Sequence, residues 1–172
     1  TLERAGALPG AAALADVGAG TGLLTRGFLT RGHEVVAVEP NPAMRAACDR
    51  HCIGFEHYRS VEGTAESMPL AGGSVDLVTA AQAFHWFDVE LARAECLRVL
   101  KDRGRVALVW NDRDTGDPLH PALDEVFRAF GGEKRSALVA HEDRSHVPRF
   151  FGDADIVAEA FPHEHSIGAD GL

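Results

Sequence analysis

The sequence predicts an α/β domain with a mostly parallel central sheet and helices on both faces, and three observations carry that prediction. Short uninterrupted apolar runs such as AAALADV and VVAV read as strands buried on both sides. Amphipathic stretches of helical length alternate with them, the order that a parallel sheet with crossover helices requires. Gly18, Gly20 and Gly22 then stand at every second position where the first strand passes into the first helix. Glycine is costly inside either element, so the cluster marks a tight turn or a ligand pressed against the main chain. In open parallel sheets the strand-to-helix turn is where nucleotides bind.

The elements follow in order. The first strand covers about residues 11–17, and GLLTRGFLTRG continues as a helix with Leu23, Leu24 and Phe28 at helical spacing and Gly32 suited to its C-terminal cap. HEVVAVEP reads as a second buried strand ending in Glu39 and Pro40. The next helix has Asn41 as N-cap and Pro42 at its first position. A weaker strand at about 58–61 precedes the polar loop EGTAESMPLAGGS, and VDLVTAAQ is the fourth strand. A helix over about 88–100 presents Leu91, Ala94, Cys96, Leu97 and Leu100 as an apolar stripe, and DRG separates it from the strand GRVALVWN. Beyond Asp112 the pattern thins to a helix over about 121–130, a polar stretch to His146 and a strand over about 155–161.

Composition narrows the function. A chain of 172 residues, 45% hydrophobic, is one ordinary globular domain. A formal charge of −9 opposes a phosphate backbone, so a small molecule is the expected partner rather than nucleic acid. No apolar run approaches the roughly 20 residues that span a bilayer, and no leader opens the chain, so the expectation is a cytoplasmic protein without a membrane partner. A homodimer is compatible with these features. Three cysteines, an odd number, argue against a disulfide framework. Cys48, His51 and Cys52 could share a helical face but lack a fourth ligand at a recognisable spacing, and His163 and His165 read as one strand face, so no metal site is expected. The chain opens on Thr1 and stops at IGADGL, which reads as cut at both ends with the last strands incomplete.

Two ligands suit a glycine turn followed by an acid at the end of the second strand: a dinucleotide and S-adenosylmethionine. Glu39 can accept hydrogen bonds from ribose hydroxyls in either. The dinucleotide fingerprint Gly-x-Gly-x-x-Gly fails because Leu23 stands where the third glycine belongs. Asp16, two residues before Gly18, would repel a diphosphate and attract an ammonium. Charge therefore favours the methionine-bearing ligand.

DVGAGTG, VEPNPAM, GTAESMPL and SVDLVTAAQAFHWFD occur in that order over about residues 14–111. With these four segments the chain resembles the class I S-adenosylmethionine-dependent methyltransferases, in the methyltransferase type 11 branch. The resemblance implies a Rossmann-like fold with S-adenosyl-L-methionine as cofactor and S-adenosyl-L-homocysteine as product. It implies one methyltransferase domain over 1–172, with a cofactor-binding core at about 11–111 and an acceptor or specificity region at about 112–172. By the same resemblance Asp16, Gly18, Ala19, Gly20 and Gly22 would hold the methionine portion and Glu39 the ribose hydroxyls. Pro40, Asn41 and Met44 would wall the adenine, and Thr64, Ala65 and Glu66 would border its edge. Thr64 stands where the family often has an acid. Ala80, Ala81 and Gln82 would present backbone to the methionine side, and QAFHWFD looks most like the trans-aconitate methyltransferase group.

Methyl transfer from a sulfonium needs an in-line nucleophile, so positioning and desolvation can carry much of the catalysis. A hydroxyl acceptor must lose a proton, an amine must be neutral, and a carboxylate is ready as it stands. His85 is the candidate base. Arg113 is the candidate for binding an acceptor carboxylate, with Arg144 and Arg149 behind it. O-, carboxyl- and N-methylation all stay open. The alternatives are a non-catalytic cofactor-binding protein, whose acceptor pocket over Gln82 and His85 would be closed, and a nicotinamide-dependent oxidoreductase.

Overall fold

The computed structural model describes residues 10–112 and 144–162, together with five helical positions between 121 and 130. Its elements are β1 (Ala13–Val17), α1 (Leu23–Leu29), β2 (Glu34–Val38), α2 (Pro42–His51), β3 (Tyr58–Val61), β4 (Val75–Ala81), a 3-10 turn (Phe84–Trp86), α3 (Val89–Val99), β5 (Leu100–Val109) and α4 (Val147–Phe151). The strands lie in the order β3-β2-β1-β4-β5, and each neighbouring pair is parallel.

Strand alternation divides the core in two. Leu14, Val35, Ala37 and Leu77 cluster with Phe28 and Leu29 of α1 and Cys48 of α2, whereas Ala15, Val17, Val36, Val38 and Val78 cluster with Ala92, Cys96 and Val99 of α3. The apolar runs are continuous because both faces of the sheet are covered. Asp16 and Thr79 share the parity of Leu14 and Leu77, which turns both toward the α1 side.

The capping expectation for α2 holds: Asn41 Oδ1 accepts from the Ala43 and Met44 amides at 2.9 and 3.2 Å, with Pro42 at the first position. Asp88 caps α3 through the Leu91 amide at 3.1 Å. Other expectations need correction. In α1 the buried side chains are Thr25, Phe28 and Leu29, and Leu23, first in the helix, is 75% exposed. In α3 the buried face is Ala92, Cys96 and Val99, at steps of four and three, while Leu91 and Leu97 face out.

DRG does not separate α3 from the last strand. β5 begins at Leu100 and carries the segment as an irregularity: its register shifts opposite Val75 and Leu77, and Arg103 adopts φ 66. Residues 155–162 form no strand and are exposed, and no described strand offers them a ladder. His163 and His165 lie outside the described residues. Among the described residues no helix is long and apolar enough to cross a membrane, and no three His, Cys, Asp or Glu side chains gather into a metal-binding group.

Candidate cofactor and acceptor site

The chain leaves β1 for β2 on one side and returns to β4 on the other, so the carboxyl ends of β1 and β4 bound the crevice where an open α/β sheet takes its ligands. The glycine turn closes one wall. Gly18 and Ala19 donate their amides to the Val38 carbonyl at 2.9 and 3.3 Å, which folds the turn over the end of β2. Gly18, Gly20 and Gly22 all have positive φ, at 66, 58 and 84°.

Their surroundings differ. A Cβ on Gly18 would stand 2.6 Å from Ala83 Cβ, and one on Gly22 would stand 2.5 Å from Cys48 Sγ. A Cβ on Gly20 would meet nothing nearer than 4.0 Å. The first and third glycines are thus demanded by the protein's own packing, and the middle one leaves open space. Burial holds the thiols behind the turn protonated, raising that of Cys48 and pushing Cys52 up to about 12, so they serve as packing groups.

Glu39 ties the turn to the next helix. Its Oε2 accepts from the Gly20 amide and its Oε1 from the Asn41 amide, both at 2.9 Å. A carboxylate offers about four acceptor positions, so each oxygen keeps capacity for a further donor.

Asp16 is engaged from within rather than turned to the crevice. It is 1% exposed; Thr25 Oγ1 of α1 donates to Oδ2 at 2.6 Å and Thr79 Oγ1 of β4 to Oδ1 at 2.9 Å. Desolvation by burial outweighs these two hydrogen bonds and raises the carboxyl above its ordinary value. The carboxylate therefore pins α1 and β4 beneath the glycine turn. Thr25 and Thr79 were missed in the sequence, although period-two alternation on the strands and the helical position of Thr25 place all three residues in one layer.

Two further segments follow the carboxyl ends of β3 and β4. Ala65 is 3% exposed in a tight turn whose ends, Thr64 and Ser67, exchange backbone hydrogen bonds. The Glu66 carboxylate accepts from the Asp88 amide at 2.8 Å, joining this turn to the start of α3. Pro40 and Met44 are exposed at the end of β2 and the start of α2. Ala80 is buried within the sheet opposite Leu108, and Ala81 ends β4 beside it. Gln82 follows at φ 55, a left-handed conformation seldom taken by a side-chain-bearing residue, with its amide donating to the Val109 carbonyl at 3.0 Å.

Beside the Phe84–Trp86 turn lies a cavity of about 660 Å³, lined among the described residues by His85, Phe87, Val89 and Leu91 together with His146 and Arg149. Phe84 anchors its floor, packed edge-on against Phe87, Trp110 and Phe150 at ring separations of 5.8, 6.1 and 5.2 Å. Arg149 Nε donates to Glu90 at 2.6 Å; Arg144 pairs with Asp112 at 2.6 Å and stacks on Trp110 at 4.1 Å. Arg113 lies outside the described residues.

A family model described as a methyltransferase domain matches residues 15–108. An uncharacterized methyltransferase of Mycobacterium tuberculosis is 47% identical over 143 residues, 83% of this chain and 58% of its own length. This chain therefore spans little more than half of that relative. The crystal structure of the YcgJ protein of Bacillus subtilis superimposes with a TM-score of 0.59 at 33% identity, covering 72% of this chain and 53% of that one. A SAM-dependent methyltransferase of Aquifex aeolicus shares the fold with a TM-score of 0.57 at 21% identity, over 74% of this chain and 75% of its own.

Proposed function

The chain belongs to the methyltransferase-domain family, and on that premise we propose that it moves the methyl group of S-adenosyl-L-methionine to a small-molecule acceptor held beside the Phe84–Trp86 turn. S-adenosyl-L-methionine is the cofactor of this family, and the residues present fit it. The observation that carries the reading is Gly20, left-handed and open where the neighbouring glycines are filled by Ala83 and Cys48. A bare backbone at that point admits a ligand to the main chain. Glu39 suits ribose hydroxyls through its spare acceptor positions, and Gly18, Ala19 and Gly22 shape the turn around the methionine portion. Pro40, Asn41 and Met44 with Thr64, Ala65 and Glu66 flank the place for adenine, and Ala80 and Gln82 border the methionine side. Asp16 acts as a positioning residue through Thr25 and Thr79.

When bound, the cofactor supplies an activated electrophilic methyl, so the chain needs to orient an acceptor and exclude water. The aromatic floor around Phe84 strips water from the acceptor side. His85, which lines the cavity, is the residue we assign to take a proton from a hydroxyl acceptor, and a neutral amine would need only orientation. An open cavity next to His85 favours this reading over a non-catalytic cofactor-binding protein, whose acceptor side would be closed. The family match sets the nicotinamide alternative aside. We take 1–172 as one domain, its core at about 11–111 and its acceptor region beyond. The likeness to the trans-aconitate group rests on one segment and is carried no further.

Calorimetric titration with S-adenosyl-L-homocysteine, with NADH as a parallel control, tests the reading. Micromolar binding of the first alone is the expected result. Absence of binding to either, or saturable NADH binding, overturns it.

A further inference from the structure

We propose that Glu66 is a positioning residue that couples the two halves of the site: a cofactor seated against residues 64–67 firms the start of α3, and with it one wall of the acceptor cavity. This deepens the functional reading above and rests on it.

The start of α3 carries a capping box that its own sequence leaves half made. In a complete box the N-cap side chain accepts from the amide three residues on, and a Glu or Gln at that third position reaches back to the N-cap amide. Asp88 supplies the first half, accepting from the Leu91 amide at 3.1 Å. The third position is Leu91 itself, whose side chain has no acceptor to return. Glu66, 22 residues earlier in the chain, takes that role: its Oε1 accepts from the Asp88 amide at 2.8 Å. A negative charge at a helix N-terminus is favourable in its own right. The first turn of an 11-residue helix is thus completed by the loop assigned to the adenine edge.

The other side of that loop is already fixed. Met68 is buried, its amide donates to Glu95 Oε1 at 2.6 Å, and Arg98 donates to the Met68 and Leu70 carbonyls at 3.0 and 2.8 Å. These bonds tie the loop to the far half of α3. The Asp88 amide is held instead by a single carboxylate on a half-buried side chain. Order imposed on residues 64–67 by a ligand is therefore taken up at Glu66 rather than at Met68. Helix ends open more readily than helix centres, and Val89, Glu90 and Leu91, which line the cavity, lie in this first turn. By linkage, an acceptor that needs the closed wall tightens the cofactor by the factor that the cofactor tightens it.

Hydrogen exchange at the Leu91 and Ala92 amides, resolved by nuclear magnetic resonance on the whole chain with and without S-adenosyl-L-homocysteine, tests the inference. Leu91 reports the Asp88 cap, and Ala92 reports the first intrahelical bond, to the Asp88 carbonyl at 2.8 Å. The ligand is expected to slow both about fivefold or more, the effect of one hydrogen bond, and to change Thr30 at the far end of α1 by less than about twofold. Glu66→Gln keeps an acceptor oxygen and should preserve the slowing, whereas Glu66→Ala should bring it below about twofold. A merely structural Glu66 would speed exchange equally in both states and leave the ratio intact. Asp88→Pro deletes the donor amide together with the cap and leaves Glu66 beside the ligand; φ −71 at Asp88 and the extended Phe87 before it admit proline. There too the slowing at Ala92 should vanish, and this variant decides if Glu66→Ala no longer binds. Ligand bound to the native chain without slowing Leu91 and Ala92, or slowing that persists in Glu66→Ala or Asp88→Pro, overturns the inference. Failure of S-adenosyl-L-homocysteine to bind the native chain instead defeats the cofactor reading.

Discussion

Thr79 and Asp16 are register partners on β4 and β1, and the Thr79 hydroxyl donates to Asp16 Oδ1 at 2.9 Å across the seam where the chain reverses its direction of travel. The other oxygen accepts from Thr25 in α1. One carboxylate thus locks a strand pair and a helix beneath the turn that receives the ligand. Asp16→Ala leaves two buried hydroxyls without their acceptor and opens a small void, and is expected to cost about 2–4 kcal/mol. Asp16→Asn keeps the shape and one carbonyl acceptor, and is expected to stay within about 1 kcal/mol of the native chain at neutral pH. Urea denaturation of both variants checks the difference; equal losses would show that shape rather than hydrogen bonding holds the layer.

The same carboxyl has a pH signature. Burial raises it above its ordinary value of 3.8, so the folded chain binds this proton more tightly than the unfolded one. Its contribution to stability is full below 3.8 and is lost as pH rises through the folded value. Asp76 runs the other way, because Lys101 at 2.9 Å and the Ala13 amide hold its carboxyl below the ordinary value. Its stabilisation is present above 3.8 and is lost as pH falls through that lowered value. Thermal melts from about pH 3 to pH 8 should therefore show Asp16→Asn gaining on the native chain as pH rises and Asp76→Asn gaining on it as pH falls. A parallel offset at all pH values in either variant would contradict the assignment.

The three glycines should separate by consequence. Gly22→Ala combines a left-handed strain of about 1–2 kcal/mol with a clash against buried Cys48, and Cys48→Ala should restore part of the loss in a double variant. Gly20→Ala carries the strain alone, because nothing stands within contact of its added methyl. It should fold with a loss of about 1–2 kcal/mol and yet bind S-adenosyl-L-homocysteine more than about tenfold more weakly. Paired melts and calorimetry decide: a Gly20→Ala chain that binds normally would move the ligand away from this turn.

Much of the fold was legible because both sheet faces are covered, so that AAALADV, VVAV and VDLVTAAQ read as continuous apolar strands. Caps were legible where the side chain does the capping, at Asn41 and Pro42. The helix faces were not: Leu91 and Leu97 fit a helical stripe, but the sheet and α4 select the face with Ala92, Cys96 and Val99. The DRG irregularity was hidden because a bulge and a turn share their residues. In the site, Glu39 and the glycines stood out by spacing alone. The inward turn of Asp16 followed from strand parity, which the charge argument overlooked. The ion pairs Arg149–Glu90 and Arg144–Asp112 span 59 and 32 residues, and no local pattern encodes such distances.

Glu39 offers the sharpest separation of structural from ligand-binding work. Its two oxygens serve two amides that both donate, Gly20 and Asn41. Glu39→Gln can serve only one of them, since the amide nitrogen would face the other donor, so a stability loss of about 1–2 kcal/mol is expected without any ligand. Binding of S-adenosyl-L-homocysteine should weaken by about tenfold or more, but a distorted turn alone could do that. The discriminating readout is a ribose-modified partner. If Glu39 accepts from the ribose hydroxyls, the native chain should prefer S-adenosyl-L-homocysteine over its 2′,3′-dideoxy analogue strongly, and Glu39→Gln should reduce that ratio toward one. If Glu39 only braces the turn, both ligands should weaken together and the ratio should stand. Calorimetry of two proteins against two ligands measures that coupling directly, because the stability loss common to both ligands cancels.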